Sequence, residues 1–304
     1  MNKLDTEAGA AQTLLESLAG QLTQADYSEK EYRRLVRDLE RVTQRLRKRE
    51  YAQTDFCGNT FNVPERTQEF FYYLDSYFRN GRTWARVLER LDVKRYRSII
   101  DLCPGWSPKV ELGLFYLGFS GEVSLVDQSP DALKQLTDTL TLFAPRYHLK
   151  PIEQNLFSPH NLRGDLVVAN HVIDDLVLSH FGEQKLFDYS AIYQAEEALE
   201  RAWTAVLEHS PADRGEVIEK IAAALEQFVV PDGILVLTQY RSYLEELLDL
   251  DQSVGYSRKV LSAVVRSLES RGFIPEPELI GECLQGFAGY FGPEDCVVLR
   301  RGSF

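Results

Sequence analysis

From Tyr96 onward, short apolar runs alternate with longer stretches of helical periodicity, and this alternation restricts the fold more than any other sequence feature. Strands that alternate with helices favour a parallel sheet with crossover connections. The sequence therefore predicts an α/β fold with a doubly wound, mostly parallel sheet. The predicted strands are 98–102, 122–126, 149–154, 166–169, 234–239, 279–284 and 295–300.

The helical periodicity divides the chain into two predicted domains. Residues 1–95 predict an N-terminal helical extension that serves as a lid, a dimerisation element or a substrate-recognition element. Residues 96–304 hold the predicted sheet, with a long helical insert at about 174–229. The other predicted helices are 109–117, 130–143 and 257–271.

Composition and charge exclude several classes of protein. The sequence has no apolar run long enough for a membrane span and no compact apolar leader, so we expect no membrane association. Its four cysteines form no CxxC pair, which argues against structural zinc or a disulfide framework and favours a reduced, cytoplasmic protein. The net charge of −12 argues against a nucleic-acid partner, although residues 28–97 hold 17 Lys/Arg against 11 Asp/Glu.

Small and polar residues follow the predicted strands where each strand ends. Ligands of doubly wound sheets bind at the carboxyl ends of the strands, near the switch point in strand order. These positions therefore supply the candidate site residues. In chain order they are Asp101, Cys103, Gly105, Trp106, Asp127, Gln128, Asn155, Asn170, His171, Asp174 and Tyr240.

The order of these residues resembles the class I S-adenosylmethionine (SAM) dependent methyltransferase family. Asp101, Gly105 and Ser107 are similar to the family's first motif, although Cys103 stands where the family commonly has glycine. Asp127 matches the acid after the second strand, and Asn155 matches the acid or amide after the third. Three further segments fit the later motifs: 165–170, 231–233 and 271–273.

The resemblance implies a seven-stranded Rossmann-like sheet that binds SAM as its cofactor. No metal is expected, because the cysteines form no CxxC pair and no histidine cluster accompanies them. It implies that Asp127 contacts the ribose hydroxyls and Asn155 an adenine edge. The other cofactor-binding candidates are Asp101, Cys103, Gly105, Trp106, Gln128 and Asn170. A nicotinamide dinucleotide is disfavoured, because the GxGxxG fingerprint is absent.

The candidate residues also have structural interpretations. Asp127 could cap the helix that starts at Pro130, although Ser129 is equally placed to do so. Asn155 suits a turn, and Asp174 suits the first turn of a helix. His171 is the preferred general base, and Asp174 and Tyr240 complete the catalytic candidates.

The predicted function is methyl transfer from SAM to an N or O atom of a small molecule. The Pro-Pro-aromatic signature of exocyclic-amine methylation and a Pro-Cys pair are both absent after the fourth strand. An RNA methyltransferase that uses Arg33–Arg97, an aminocarboxypropyl transferase and a catalytically inactive SAM-fold scaffold remain alternatives. A helix is also predicted around Arg33–Arg49, where apolar residues recur every three or four positions between arginines, and this apolar stripe would suit a homodimer seam.

Overall fold

The computed structural model describes residues 80–105, 108–141, 143, 145–187, 192, 196–209, 211–241, 245, 248–276 and 295–303. The predictions for residues 1–79, for Trp106 and Ser107, and for a strand at 279–284 lie outside these ranges. The chain divides into two compact units, and one of them, made of 86–105, 121–133 and 148–304, holds every described strand. The predicted domain boundary at 95/96 stays a prediction.

The sheet has seven strands in the order β3-β2-β1-β4-β5-β7-β6. The strands are β1 Ser98–Leu102, β2 Glu122–Asp127, β3 His148–Glu153, β4 Gly164–Asn170, β5 Val229–Thr238, β6 Phe273–Pro275 and β7 Cys296–Arg301. The first five pair in parallel, whereas β7 is antiparallel to both β5 and β6. The chain therefore winds outward from β1 to β3, returns to β4 beside β1, and continues the other way. This arrangement confirms the predicted doubly wound, mostly parallel Rossmann-like sheet.

Six helices with complete bounds lie among the described residues. They are α1 Val110–Leu117, α2 Pro130–Thr141, α3 Ile173–Glu183, α4 Glu196–Glu208, α5 Pro211–Phe228 and α6 Asp251–Ser270. Residues 80–90 are also helical, and Val93–Arg95 form one 3₁₀ turn. The described residues of the predicted insert at about 174–229 form three helices, α3 to α5. No helix in the described part of the chain has the length and hydropathy needed to cross a bilayer.

The sheet-bearing unit is held by a continuous apolar core. β1 and β4 are almost entirely buried, as their apolar sequences SIIDL and GDLVVAN require. Helices α3, α5 and α6 add large side chains to this core, including Phe181, Phe228 and Leu268, each fully buried. Because β1 and β4 are central and neighbouring, the residues that follow them are fixed by the best-packed part of the molecule.

The second unit comprises residues 1–85, 106–120 and 134–147, and its described part includes α1. Close packing within it requires a glycine, since a Cβ on Gly113 would lie 2.8 Å from the Cβ of Trp84. The Tyr147 hydroxyl donates a 2.9 Å hydrogen bond to the backbone oxygen of Glu111.

One sequence prediction in the closing half was wrong in detail, and one strand was not predicted. β6 at Phe273–Pro275 pairs with β7, whereas the predicted strand at 279–284 lies outside the described residues. The turn predicted before β5 lies inside β5: Asp232 has φ 63°, and the register with β4 shifts between Gly164 and Leu166. A local kink lets the strand continue past a sequence that favours a turn.

Candidate active site

The loop after β1 is shaped by two residues in the left-handed backbone region. Cys103 has φ 50° and Gly105 has φ 63°. The amide of Cys103 donates a 2.7 Å hydrogen bond to the backbone oxygen of Val126. A Cβ built on Gly105 would meet no described atom within 4 Å, so this loop presents open backbone at the carboxyl edge of the sheet.

Asp127, the last residue of β2, braces this loop. Its Oδ2 accepts a 3.2 Å hydrogen bond from the amide of Gly105, and its Oδ1 accepts a 2.8 Å bond from the amide of Ser129. Burial raises the pKa of Asp127, and the amides of Ser129, Gly105 and Gln128 partly oppose that rise. The Ser129 hydroxyl accepts from the amide of Ala132, so Ser129 caps α2 and leaves Asp127 for the loop.

The thiol of Cys103 is buried and is affected by the negative charge of several carboxylates. Burial raises the pKa of this thiol well above its ordinary value, and the negative charges of Asp127, Asp175, Asp101 and Asp174 raise it further. The thiol therefore stays protonated near neutral pH, and it is a poor nucleophile.

His171 follows β4 with the left-handed φ of 57°, which is uncommon for a residue other than glycine. The end of β5 holds this turn. The His171 amide donates to both the backbone oxygen and the Oγ1 of Thr238, each at 3.0 Å. The Thr238 hydroxyl donates to Oδ1 of Asn170 at 2.8 Å, and Oε1 of Gln239 accepts from the amide of Ile173 at 3.1 Å.

We call Thr238 and Gln239 the β5 clamp. Both side chains are fully buried, and they hold the backbone on either side of His171. A strained conformation persists only where surrounding contacts determine it. The clamp supplies such contacts, so the direction of the imidazole is set by the pairing of β4 with β5.

The imidazole of His171 lies between two carboxylates. Its Nδ1 is 3.4 Å from Oδ2 of Asp174, and its Nε2 is 3.4 Å from Oε2 of Glu245. The three side chains are largely buried, with exposed fractions of 13%, 13% and 5%. The ring of Tyr240 packs edge-on against the imidazole, with 4.7 Å between the ring centroids. We call His171, Asp174 and Glu245 the histidine–carboxylate cluster.

Mutual interaction shifts the proton affinities in this cluster. Burial alone would lower the pKa of His171, but the charges of Asp174 and Glu245, with a hydrogen bond to Glu245, raise it well above its ordinary value. Burial raises the pKa of Asp174 to about 7, although His171 opposes the rise. The cluster therefore holds an imidazolium near neutral pH, and the carboxyl group of Asp174 exchanges its proton in that range.

The same cluster is the group among the described residues that could hold a metal ion. One ligand atom from each residue lies within 4.8 Å of the others. In the observed geometry, however, each carboxylate faces a different ring nitrogen. This arrangement suits a shared proton better than one ion, so we assign no metal to it.

The structure brings most of the predicted residues to one edge of the sheet. Asn155 is different, because its side chain is committed locally: Oδ1 accepts from the amide of Phe157 at 2.8 Å, and Nδ2 donates to Glu183 at 3.2 Å. Gln128 is half-buried, and its backbone amide interacts with Asp127. Sequence reasoning missed Glu245 and the β5 clamp. The signal for the clamp was that two polar residues, Thr238 and Gln239, follow the apolar run of β5.

Comparisons with known proteins give structural likeness only. No protein-family model matches the chain, and no curated protein matches it. The chain is similar in structure to the plantazolicin methyltransferase BpumL in complex with SAH (TM-score 0.44, 12% identity, 87% of this chain and 99% of that one). It is also similar to an O-methyltransferase family protein from Burkholderia thailandensis (TM-score 0.41, 16% identity, 92% of this chain and 74% of that one). A third similar structure is human N-acetylserotonin methyltransferase in complex with SAM (TM-score 0.40, 14% identity, 85% of this chain and 59% of that one).

Proposed function

We propose that the chain is a SAM-dependent methyltransferase that acts on an N or O atom of a small molecule. One observation carries the proposal. A braced open-backbone loop after β1 and a buried proton-exchanging cluster after β4 lie at the same edge of the sheet, where the strand order reverses. This edge is where doubly wound folds bind their ligands.

The residues after β1 and β2 fit SAM. The left-handed backbone at Cys103 and Gly105, with open space beside Gly105, suits a ligand that approaches the main chain closely. Each oxygen of Asp127 accepts one backbone amide and keeps further acceptor capacity for ribose hydroxyls. The other residues proposed to hold SAM are Asp101, Trp106, Gln128 and Asn170, whereas the side chain of Asn155 is engaged by Phe157 and Glu183.

When bound, SAM supplies a methyl group on a positively charged sulfur. The protein's task is to hold the acceptor atom about 3–3.5 Å from that carbon and to exclude water. His171 is held as an imidazolium by Asp174 and Glu245, so the acceptor's proton goes to Asp174. His171 then orients that carboxylate and stabilises its charged form, and Tyr240 packs beside it.

Residues 1–95 are proposed as the lid over the acceptor and as a candidate dimerisation element. Enclosure of the acceptor favours a small molecule over a polymer. Steep salt dependence of binding through Arg33–Arg97 would instead favour RNA. A product whose mass exceeds that of the acceptor by more than one methyl group would favour aminocarboxypropyl transfer.

Calorimetric titration with SAM and with its demethylated product SAH tests the proposal. We expect binding of both, weakened at least tenfold in Asp127→Asn, because an amide nitrogen at one of these oxygen positions repels the backbone donor it faces. Asp165→Asn is the matched control, since Asp165 is exposed within β4. Absence of binding by either ligand to the wild-type protein would contradict the proposal and favour a scaffold function.

A further inference from the structure

A small cleft lies at the amino ends of the parallel strands, on the edge of the sheet opposite the candidate active site. One row of paired residues crosses β1, β4, β5 and β7, and it consists of Ile99, Leu166, Ile234 and Arg300. The last two of these residues also line the cleft. His171 follows the other end of β4, about 15 Å from Leu166 at the rise of an extended strand. The cleft is therefore separate from the residues proposed for methyl transfer.

The lining of this cleft is rich in arginine. Arg90, Arg95 and Arg300 line it, together with the one carboxylate of Asp92. The other lining residues are apolar or aromatic, namely Leu91, Tyr96 and Ile234. All of these residues belong to the sheet-bearing unit. Guanidinium groups beside an apolar and aromatic surface suit a ligand with an anionic group and a small organic part.

The residues before β1 are the described end of the basic segment of the sequence. Residues 86–97 hold five Lys/Arg against two Asp/Glu, in a chain whose net charge is −12. The proposed methyl transfer to a small molecule gives this local positive charge no role. A concentration of one sign of charge around a concave site attracts ligands of the opposite sign, so the segment favours an anion.

Arg95 is oriented in the cleft by an aromatic ring. Its Nη2 donates a hydrogen bond to the hydroxyl of Tyr96, and its guanidinium carbon lies 4.7 Å from the centroid of the Tyr96 ring. The other N–H groups of Arg95 have no hydrogen-bond partner among the described residues. An aromatic ring holds a guanidinium group without neutralising its charge. Arg95 therefore keeps both its charge and its donors for a ligand.

Arg300 also keeps donors on its guanidinium group. Its Nε donates to Oε1 of Glu276 at 2.7 Å, and the pair is about one third exposed. Its two terminal nitrogens have no hydrogen-bond partner in the described part of the chain. Two arginines that line one cleft thus retain donors, and guanidinium groups bind phosphate oxygens in a bidentate geometry.

We propose that this cleft binds the phosphate group of a small phosphomonoester through Arg95 and Arg300. The cleft has a volume of about 90 Å³. Pockets for drug-sized ligands measure about 300 Å³ or more, so the size favours one phosphate with a small organic group. A phosphomonoester carries nearly two negative charges near neutral pH, and it therefore gains more from two arginines than a carboxylate does.

Protein-observed NMR titration with phenyl phosphate tests the proposal, because the shifted amide signals identify the site. We expect a dissociation constant of about 1 mM or lower, with the largest shifts at 90–96, Ile234 and Arg300. Arg95→Gln and Arg300→Gln should each weaken binding about tenfold, because each removes charge-assisted hydrogen bonds. Arg201→Gln removes an equal charge from an exposed position of α4 and should leave the affinity within about twofold. The same spectra show whether each variant is folded.

Several outcomes would overturn the proposal. They are shifts spread over the whole surface, shifts located at Gly105, Asp127 and His171, and an equal loss of affinity in Arg201→Gln. Benzyl alcohol is a neutral probe of similar size, and equal binding of benzyl alcohol would also overturn the proposal. A short single-stranded RNA that binds at the same amides more tightly than phenyl phosphate would replace the small ligand by a nucleic-acid backbone. The titration needs no SAM, so its result is independent of the proposed function.

Discussion

Replacement of Thr238 by valine removes the hydroxyl of the β5 clamp and keeps the shape of the side chain. The wild-type hydroxyl accepts from the amide of His171 at 3.0 Å and donates to Oδ1 of Asn170 at 2.8 Å. The His171 amide keeps its second acceptor, the backbone oxygen of Thr238. The oxygen of Asn170, whose residue is 8% exposed, loses its donor.

The loss of stability follows from these contacts. A buried polar group left without its partner costs about 1–3 kcal/mol, so we expect Thr238→Val to lower the free energy of unfolding by about 2 kcal/mol. Thr238→Ser keeps the hydroxyl and loses one buried methyl group, at a cost of about 1 kcal/mol. Urea denaturation followed by circular dichroism measures both values.

A second threonine, Thr204, is a matched control that shows whether the loss of stability depends on the buried position of Thr238. Thr204 is exposed on α4, and its hydroxyl donates to the backbone oxygen of Glu200 at 2.9 Å. Thr204→Val should change the free energy of unfolding by less than about 0.5 kcal/mol, as is usual for surface substitutions. If Thr238→Val lowers the free energy of unfolding no more than Thr204→Val does, the β5 clamp does not hold the turn at His171.

Three other perturbations follow from the same contacts. Cys103→Gly places glycine at φ 50°, so the relief of backbone strain should offset the packing lost with the side chain. The melting temperature should therefore change little. A fall in SAM affinity would contradict the role given to this loop. Arg258→Met removes the two hydrogen bonds of 2.7 and 2.8 Å that Arg258 donates to the fully buried carboxylate of Asp295; urea denaturation should show a loss of about 3 kcal/mol, and a cost below that of Thr204→Val would contradict this expectation. The raised pKa values of Asp174 and His171 mean that the folded state binds more protons than the unfolded state, so this contribution to stability is lost as pH rises from about 4 through 7 and above. Unfolding free energies from pH 4 to 8 should fall more steeply for the wild type than for Asp174→Asn, and parallel curves would contradict the assignment.

Local sequence predicted the central strands well, because buried strands carry continuous apolar runs. β1 was predicted with its exact bounds, and β4 within two residues at each end. β6 was missed because three residues that end in proline leave no periodic signal. The start of β5 was missed because 231–233 favours a turn, and only the pairing with β4 shows that the strand continues through a kink.

The candidate site was predictable to the extent that its residues follow strands. Asp127 and His171 stand directly after apolar runs, so the rule about carboxyl ends of strands identifies them. Their partners were not predictable, because the contacts are long-range. The hydrogen bond from His171 to Thr238 joins residues 67 positions apart. Nothing in the local sequence distinguishes Glu245 from Glu246, the acid that follows it.

A crystal structure of the protein grown with saturating SAH would show whether this edge of the sheet is the active site. We expect density for SAH at the carboxyl edge of β1 and β2, with the ribose hydroxyls on Asp127 and the sulfur directed towards the histidine–carboxylate cluster. SAH bound at another place, or a bound SAH whose sulfur points away from His171 and Asp174, would contradict the claim that this edge of the sheet performs methyl transfer.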